Sequence, residues 1–204
     1  MTVFTNSSGI SIPDFSTPSQ TLSVSGLAGQ ITHVSVIISG LTHSRPDDLD
    51  FLLVGPDGTR NLLFWSDAGG SVFILNVDIT VADAGASPLP DSTAIVDDST
   101  YQPADYDVAE VGAVYAFNHA TTNGTATFAS AFNTIDPNGI WTLYAADDTG
   151  GAAGGLSSWS LDFAVGGAVV VDGTAGADTL VINATGPDSG SYVLNGGPAI
   201  DLVA

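Results

Sequence analysis

Residues 31–59 read ITHVSVIISGLTHSRPDDLDFLLVGPDGT. In the first part of this stretch every second residue is apolar, as at Val34, Val36 and Ile38. A period of two is typical of a strand that turns one face toward a hydrophobic core. The phrase GPDGT then places a proline and a glycine where a tight hairpin needs one fixed and one permissive φ. The stretch therefore predicts antiparallel strands joined through an acidic connection.

The same alternation returns later in the chain, in GIWTLYAAD (139–147) and LSSWSLDFAV (156–165). Shorter strand candidates lie between strong turn signals such as DAGG, DPNG and DDTGGAAGG, and no stretch carries a sustained helical stripe. This pattern predicts an all-β protein, folded as a jelly-roll β-sandwich. We expect Trp141 and Trp159 in its core and Trp65 nearer the surface. The shorter candidates are QTLSVSG, DFLLVGP, RNLLFWS, ILNVDITVA and ATFASAF.

Two segments differ in composition and pattern from the predicted sandwich. Residues 83–120 are rich in Pro, Asp and Ser, which predicts a long ordered loop pinned by tyrosines, with disorder as the alternative. Residues 166–204 read as a linker followed by three strand-like pieces, too short for a robust β domain. We therefore divide the chain into a sandwich at 1–165 and, at 166–204, a linker and partial β module that begins a neighbouring domain. The loop tyrosines are Tyr101, Tyr106 and Tyr115.

The charge of the chain restricts its partners. The 204 residues carry a net charge of −20, with Arg45 and Arg60 as the strong cations and no cysteine. Phosphates and anionic membrane surfaces are repelled by such a polyanion, which argues against nucleic-acid binding. No apolar run is long enough to span a membrane, and the polar start after Met1 is not a signal peptide. We expect a fragment of a longer secreted or cell-surface bacterial protein.

The order of five phrases identifies a family resemblance. ITHVSVIISGLTHSRPDDLDFLLVGPDGTRNLLF, then DAGG, then PNGIWTLYAADDTGGAAGGLSSWSLDF resembles the P domain (Homo B domain) of proprotein convertases and bacterial subtilisin-like serine proteases. ISIPDFS and TYQPADY resemble the bacterial branch of that family, and the match extends over about residues 4–165. The resemblance implies a galactose-binding-domain-like jelly roll, a non-catalytic accessory module that follows a serine protease domain and stabilises it.

The tail resembles a second, weaker pattern. GTAGADTLV (173–181) is similar to one degenerate turn of the Gly/Asp-rich calcium-binding nonapeptide repeat, with Gly176, Asp178 and Leu180 in place and Thr174 instead of glycine. Such repeats bind Ca²⁺ between consecutive turns, so one copy does not build a site. An ordinary hairpin turn is the preferred interpretation.

The chain lacks the local signatures of common hydrolases. It has neither a Gly-x-Ser-x-Gly elbow nor a His-Glu-x-x-His helix, and without lysine it has no phosphate-binding P-loop. The histidines are His33, His43 and His119. We expect no autonomous catalysis, and we expect His43 either to cap the strand end or to donate a hydrogen bond to Asp48 or Asp50.

Two acidic loops predict a structural calcium site. Asp47, Asp48 and Asp50 lie in one loop, and Asp147 and Asp148 begin the glycine-rich loop after WTLYA. Ca²⁺ takes six to eight oxygen ligands in irregular geometry, and five converging carboxylates repel one another without a cation. The alternative is that Asp48 and Asp50 cap amides at a strand end while Asp47 faces water.

Three functions follow from these patterns. The first is the accessory domain that the resemblance implies, acting on a neighbouring domain of the same polypeptide. The second is an extracellular module that binds carbohydrate or protein through loop aromatics such as Trp65, Tyr101 or Tyr106. The third is a spacer in a large surface adhesin.

Overall fold

The computed structural model describes residues 1–106 and 125–166, and the backbone of three further strands between 180 and 203. The chain divides into two compact units, residues 1–167 and 168–204. In the second unit the antiparallel strands β13 (Leu180–Gly186), β14 (Ser189–Leu194) and β15 (Ile200–Val203) form one sheet. The repeat-like positions Gly176 and Asp178 lie outside the described residues.

The first unit is a two-sheet β-sandwich, which confirms the predicted all-β sandwich class. In the first sheet, a long central strand pairs on one side with two successive strands and on the other with a single strand. Its strands are β1 (Thr2–Asn6), β2 (Ile10–Ile12), β4 (Gln30–His43), β7 (Ile74–Val81), β8 (Ser99–Tyr101), β11 (Gly154–Leu156) and β12 (Ser158–Gly166).

The strands of the second sheet are β3 (Ser19–Val24), β5 (Leu49–Val54), β6 (Asn61–Ser66), β9 (Ala104–Asp105) and β10 (Gly139–Asp147). They lie in the order β3-β10-β5-β6-β9, in which β9 is parallel to β6 and the other neighbouring pairs are antiparallel. A short 3-10 helix (Pro46–Asp48) leads from β4 in the first sheet into β5 in the second. The acidic stretch of the sequence is therefore a crossover between the two layers.

A chain of aromatic rings runs through the core between the sheets. Trp141 contacts Phe163 of the first sheet at 5.4 Å between ring centroids and Phe132 at 5.0 Å. Trp159 is also fully buried, so both tryptophans take the predicted core positions. The remaining members of the chain are Phe4, Phe51, Phe64, Trp65 and Phe128.

Trp65 lies in the core, so the expected surface position is wrong. A β-bulge between Phe51 and Leu52 shifts the pairing with β6 and sets Trp65 opposite Phe51, at 5.6 Å between their rings. The indole nitrogen donates to the carbonyl of Pro46 at 3.4 Å. The bulge places Phe64 and Trp65 in the same core although they are adjacent in sequence.

The predicted strand ATFASAF is also wrong, because residues Phe128–Phe132 form the helix α1. Thr127 caps the helix by accepting from Ser130, and the carboxylate of Asp83 accepts from the amides of Phe128 and Ala129 at 2.8 Å each. Phe128 and Phe132 are four residues apart and both point into the core. Remote capping by Asp83 is not visible in the local pattern.

The part of the middle segment that the structure describes is ordered through its tyrosines. The Tyr101 hydroxyl accepts from the amide of Val96 at 3.0 Å, and the Tyr106 hydroxyl donates to the carbonyl of Leu89 at 2.6 Å. Tyr101 is buried in β8, whereas Tyr106 is partly exposed. Residues 107–124, including Tyr115 and His119, lie outside the described range.

The adjacent residues Ile140 and Trp141 give a matched test of the sandwich. Trp141 is fully buried, whereas Ile140 is 52% exposed on the opposite face of β10. We expect Trp141→Ala to lower the free energy of unfolding by about 3–5 kcal/mol and Ile140→Ala by at most about 0.5 kcal/mol. Urea denaturation of the three proteins measures both values. Equal losses from the two substitutions would contradict the assigned register of β10.

Candidate functional site: a buried histidine–aspartate cluster at one end of the sandwich

The polar cluster forms where β4 of the first sheet and β10 of the second sheet end. His43, the last residue of β4, places Nε2 at 3.1 Å from Oδ2 of Asp147, the last residue of β10. Both side chains are fully buried. The other ring nitrogen, Nδ1, lies 2.7 Å from the carbonyl oxygen of Arg45. The same Nδ1 also accepts from the backbone amide of Arg45 at 3.3 Å, so both ring nitrogens are held by polar contacts.

Close packing around the imidazole depends on a glycine. A Cβ added to Gly154 in β11 would lie 2.4 Å from Cδ2 of His43 and 2.0 Å from the carbonyl oxygen of Thr42. Any larger residue at position 154 would therefore displace the ring or the strand. This glycine is the sequence signal for the site, although the sequence pattern alone indicated only a glycine-rich loop.

Asp48 is the second buried carboxylate of the cluster. It ends the 3-10 helix, and its Oδ2 lies 3.7 Å from Nε of Arg45, whose side chain is 46% exposed. The backbone carbonyl of Asp48 accepts from the amide of Asp148 at 3.2 Å, which joins the two acidic loops. Asp47 and Asp148 are half-buried beside it.

Burial raises the pKa of both buried carboxyl groups. For Asp48, desolvation outweighs the attraction of Arg45 and His43, and the charges of Asp148 and Asp47 add to the rise. For Asp147, desolvation outweighs the charge and hydrogen bond of His43, and Asp48 and Asp14 raise the pKa further. The two carboxylates thus repel each other across the end of the sandwich.

Two carboxylate oxygens of this cluster lack a hydrogen-bond donor within the described residues, namely Oδ2 of Asp48 and Oδ1 of Asp147. Buried acceptors of this kind are rare in folded proteins and each one costs free energy. A cation bound at this site would satisfy both of these oxygens.

The structure separates Asp50 from the other predicted calcium ligands. Asp50 is buried opposite Ala146 of β10, whereas Asp147 lies opposite Leu49. Since side chains alternate along a strand, Asp50 and Asp147 project from opposite faces of the second sheet. The expected hydrogen bond from His43 to Asp48 or Asp50 is therefore wrong, because Asp147 is the partner of His43.

The calcium ligand set stays a prediction after this placement. Asp48 and Asp147 come together, with Asp47 and Asp148 at the margin, and Asp50 lies apart. Across residues 1–106 and 125–166, no three His, Asp or Glu side chains form a group arranged to hold a metal ion. Asp67, in the turn after β6, accepts from the hydroxyl of Ser66 at 3.0 Å.

Within the part of the chain that is described, no helix is long and apolar enough to cross a membrane.

Comparisons with known proteins give only a distant likeness. No family model matches the chain, and no curated protein matches it. Among solved structures, the serine protease of Aeromonas sobria aligns with 80% of this chain at 16% identity and a TM-score of 0.36. The complex of that protease with the chaperone ORF2 aligns with 80% at 16% identity and a TM-score of 0.35. This chain covers 27% of the matched chain in each, and a likeness at this level does not determine family or function.

The raised pKa of Asp48 has a consequence for stability that depends on pH. A carboxyl group whose folded-state pKa lies above its unfolded value of 3.8 stabilises the fold fully below pH 3.8. That contribution is lost as the pH rises through the folded-state pKa. Asparagine does not ionise, so we expect Asp48→Asn to gain stability relative to the wild type between about pH 3 and pH 7. Urea denaturation at both pH values measures the difference.

Asp57→Asn is the control with the opposite sign. Burial alone would raise the pKa of Asp57, but the amides of Thr59 and Arg60 and the Arg60 guanidinium lower it below 3.8. Its ionised form stabilises the fold above pH 3.8, and this contribution is lost as the pH falls through the folded-state pKa. Asp57→Asn should therefore lose stability relative to the wild type toward pH 7. The same pH trend in both variants would contradict the assigned environments.

Proposed function

We propose that this chain is a non-catalytic accessory domain of the P-domain type, in a secreted bacterial protein with a subtilisin-like serine protease domain. It acts by packing against a neighbouring domain of the same polypeptide and stabilising it. The observation that carries this proposal is the burial of His43 against Asp147. The phrases of the family resemblance, HSRPDDL and WTLYAAD, contribute these two residues, and their side chains meet between the two sheets.

The position of the same residues argues against a hydrolytic role for this cluster. A general base must lie within hydrogen-bond reach of a substrate or of one bridging water. The imidazole of His43 is fully enclosed, and its two nitrogens contact the backbone of Arg45 and the Asp147 carboxylate. The cluster thus supports a structural role, which is what an accessory domain requires.

The carbohydrate-binding alternative loses two of its three aromatic candidates, while Tyr106 is 42% exposed. Trp65 and Tyr101 are buried, and the Tyr106 hydroxyl is bonded to the Leu89 carbonyl. Stacking on a sugar needs an exposed ring face, which Trp65 does not offer. Binding of a protein partner is favoured by exposed apolar side chains at Val72, Phe73, Leu75 and Val96.

A structural calcium ion remains part of the proposal. The donor set fits a hard cation in chemistry, because carboxylate oxygens are the preferred ligands of Ca²⁺ and two of them are buried without a hydrogen-bond donor within the described residues. Asp48 and Asp147 would hold the ion, with Asp47 and Asp148 as the nearest further oxygen donors. The ion would supply positive charge to two carboxylates that otherwise destabilise each other.

The calcium proposal is tested by thermal melts of the protein in EDTA and in millimolar Ca²⁺ or Mg²⁺. We expect Ca²⁺ to raise Tm of the wild type by several degrees, since binding to the folded state alone stabilises by mass action. The rise should disappear in Asp48→Asn and persist in Asp57→Asn. An unchanged wild-type Tm, or a rise that survives in Asp48→Asn, would overturn it.

The accessory role is tested on the polypeptide encoded by the complete gene. We expect a serine protease domain within it, and we expect that domain to melt at a lower temperature when residues 1–165 are deleted. Differential scanning calorimetry together with residual protease activity after heating measures this effect. A complete gene without a protease domain, or an unchanged melting temperature after deletion, would contradict the proposal.

A further inference from the structure

A group of exposed apolar side chains lies where β7 begins. Val72, Phe73, Leu75 and Val96 are each between 49% and 67% exposed. Single exposed apolar residues are ordinary, but several together on a soluble protein mark an interaction surface. We call these four residues the β7 patch.

The members of the β7 patch are brought together by backbone contacts between two stretches. The amide of Gly70 donates to the carbonyl of Asp91 at 3.0 Å at one end. At the other end the amide of Asp98 donates to the carbonyl of Asp78 at 2.8 Å. Residues 70–78 and 91–98 are therefore joined at both ends, and the four apolar residues lie in the stretches between these two contacts.

The exposure of the patch results from a local departure from strand geometry. Asn76 has a φ of +53°, and the β4–β7 pairing shifts register between Leu41 and His43. Ile74 and Val77 are both buried as a result, while Leu75 and Asn76 both face outward. An uninterrupted strand would have turned every second side chain toward the core. The bulge therefore displays Leu75 instead of hiding it.

A small acidic cavity lies next to the β7 patch, on the outer face of the first sheet. Its volume is about 230 Å³, and Asp78 and Asp98 are the charged residues in its wall. Both carboxylates belong to exposed residues, and Oδ1 of Asp78 also accepts from the amide of Gly40 at 2.6 Å. The other lining residues are Ile37, Ser39, Ile79, Thr80 and Ser99.

The charge around the patch and cavity is uniformly negative. Asp91 and Asp97 are exposed beside Asp78 and Asp98. The chain has no lysine, and its two arginines are engaged elsewhere, Arg45 with Asp48 and Arg60 with Asp57. A lysine or arginine that complements these carboxylates must therefore come from another molecule or domain. Complementary charge at the rim of an apolar contact sets the specificity of a protein interface.

We propose that the β7 patch and the adjoining cavity dock a protein segment that presents apolar side chains next to an arginine or lysine. The apolar side chains cover Val72, Phe73, Leu75 and Val96, and the cationic side chain enters the cavity between Asp78 and Asp98. This inference rests on the proposed function, because it names the face by which the module meets its neighbour. A second copy of this chain is a poor occupant, since each copy carries −20 and repels the other.

The probe is a fluorescein-labelled 12-residue peptide that alternates leucine with arginine, measured by fluorescence anisotropy without calcium. A leucine–glutamate peptide and a serine–arginine peptide serve as probe controls. We expect the leucine–arginine peptide to bind more tightly than either control. Binding should weaken about tenfold in Phe73→Ser/Leu75→Ser, the change typical of losing interface anchors. Asp98→Asn keeps a residue type that tolerates positive φ, and it should weaken binding and reduce its salt dependence.

Matched variants test whether peptide binding depends on the β7 patch or only on exposed apolar surface and negative charge elsewhere on the protein. Ile140→Ser removes an equally exposed apolar residue elsewhere, and Asp57→Asn removes one exposed carboxylate in the turn between β5 and β6. Both should bind the peptide as the wild type does, and thermal melts should show that all variants are folded. Equal binding by every variant, or equal binding of the serine–arginine peptide, would overturn the proposal. A dimer that sedimentation velocity shows to depend on Phe73 would also overturn it, because the occupant would then be a second copy.

The same double variant in the complete polypeptide separates this inference from the proposed function. Undiminished stabilisation of the neighbouring domain by Phe73→Ser/Leu75→Ser would refute the docking face and leave the accessory role standing. Absence of stabilisation in the wild type, with peptide binding that depends on the patch, would refute the accessory role and leave the docking face standing.

Discussion

The contact between His43 and Asp147 is the constraint on which the arrangement of this sandwich depends. One residue ends a strand of the first sheet and the other ends a strand of the second, so their contact at 3.1 Å fixes the two layers relative to each other. Removing one partner of a buried hydrogen bond costs about 1–3 kcal/mol, because the remaining polar group is left unsatisfied. The loops 44–48 and 148–153 begin directly after these two residues, so the contact also positions the loops.

The same contact explains why an acidic protein concentrates carboxylates at its most buried polar site. His43 contacts Asp147 directly, whereas Asp48 has the attraction of His43 and that of the partly exposed Arg45 at 3.7 Å, which solvent weakens. Burial raises the pKa of Asp48, because these attractions do not offset its desolvation. Ionisation of Asp48 therefore carries a cost to the stability of the fold. A cation supplied from outside the chain would reverse the sign of that cost.

Alternating hydrophobicity predicted the sheet-forming segments and the core position of Trp141, because burial of one strand face leaves a period of two in the sequence. The site was less accessible to the same reasoning. Asp48 and Asp50 are close in sequence, yet one belongs to a 3-10 turn and the other to a strand face directed away from Asp147. The true partner of His43 is 104 residues away, and no local spacing encodes it. Long-range pairing and bulges, which place these residues, are properties of the assembled sheets.

The His43–Asp147 contact and the β7 patch are connected through the paired strands β4 and β7. His43 is paired in register with Ile74, which lies between the exposed Phe73 and Leu75. A partner seated on the patch would hold the start of β7 against the end of β4, and this pairing also positions the imidazole opposite Asp147. Because coupling between two sites is reciprocal in free energy, a neighbour that stabilises this strand pair is itself stabilised by it. The buried cluster thus supplies rigidity to a surface from which an accessory domain would act.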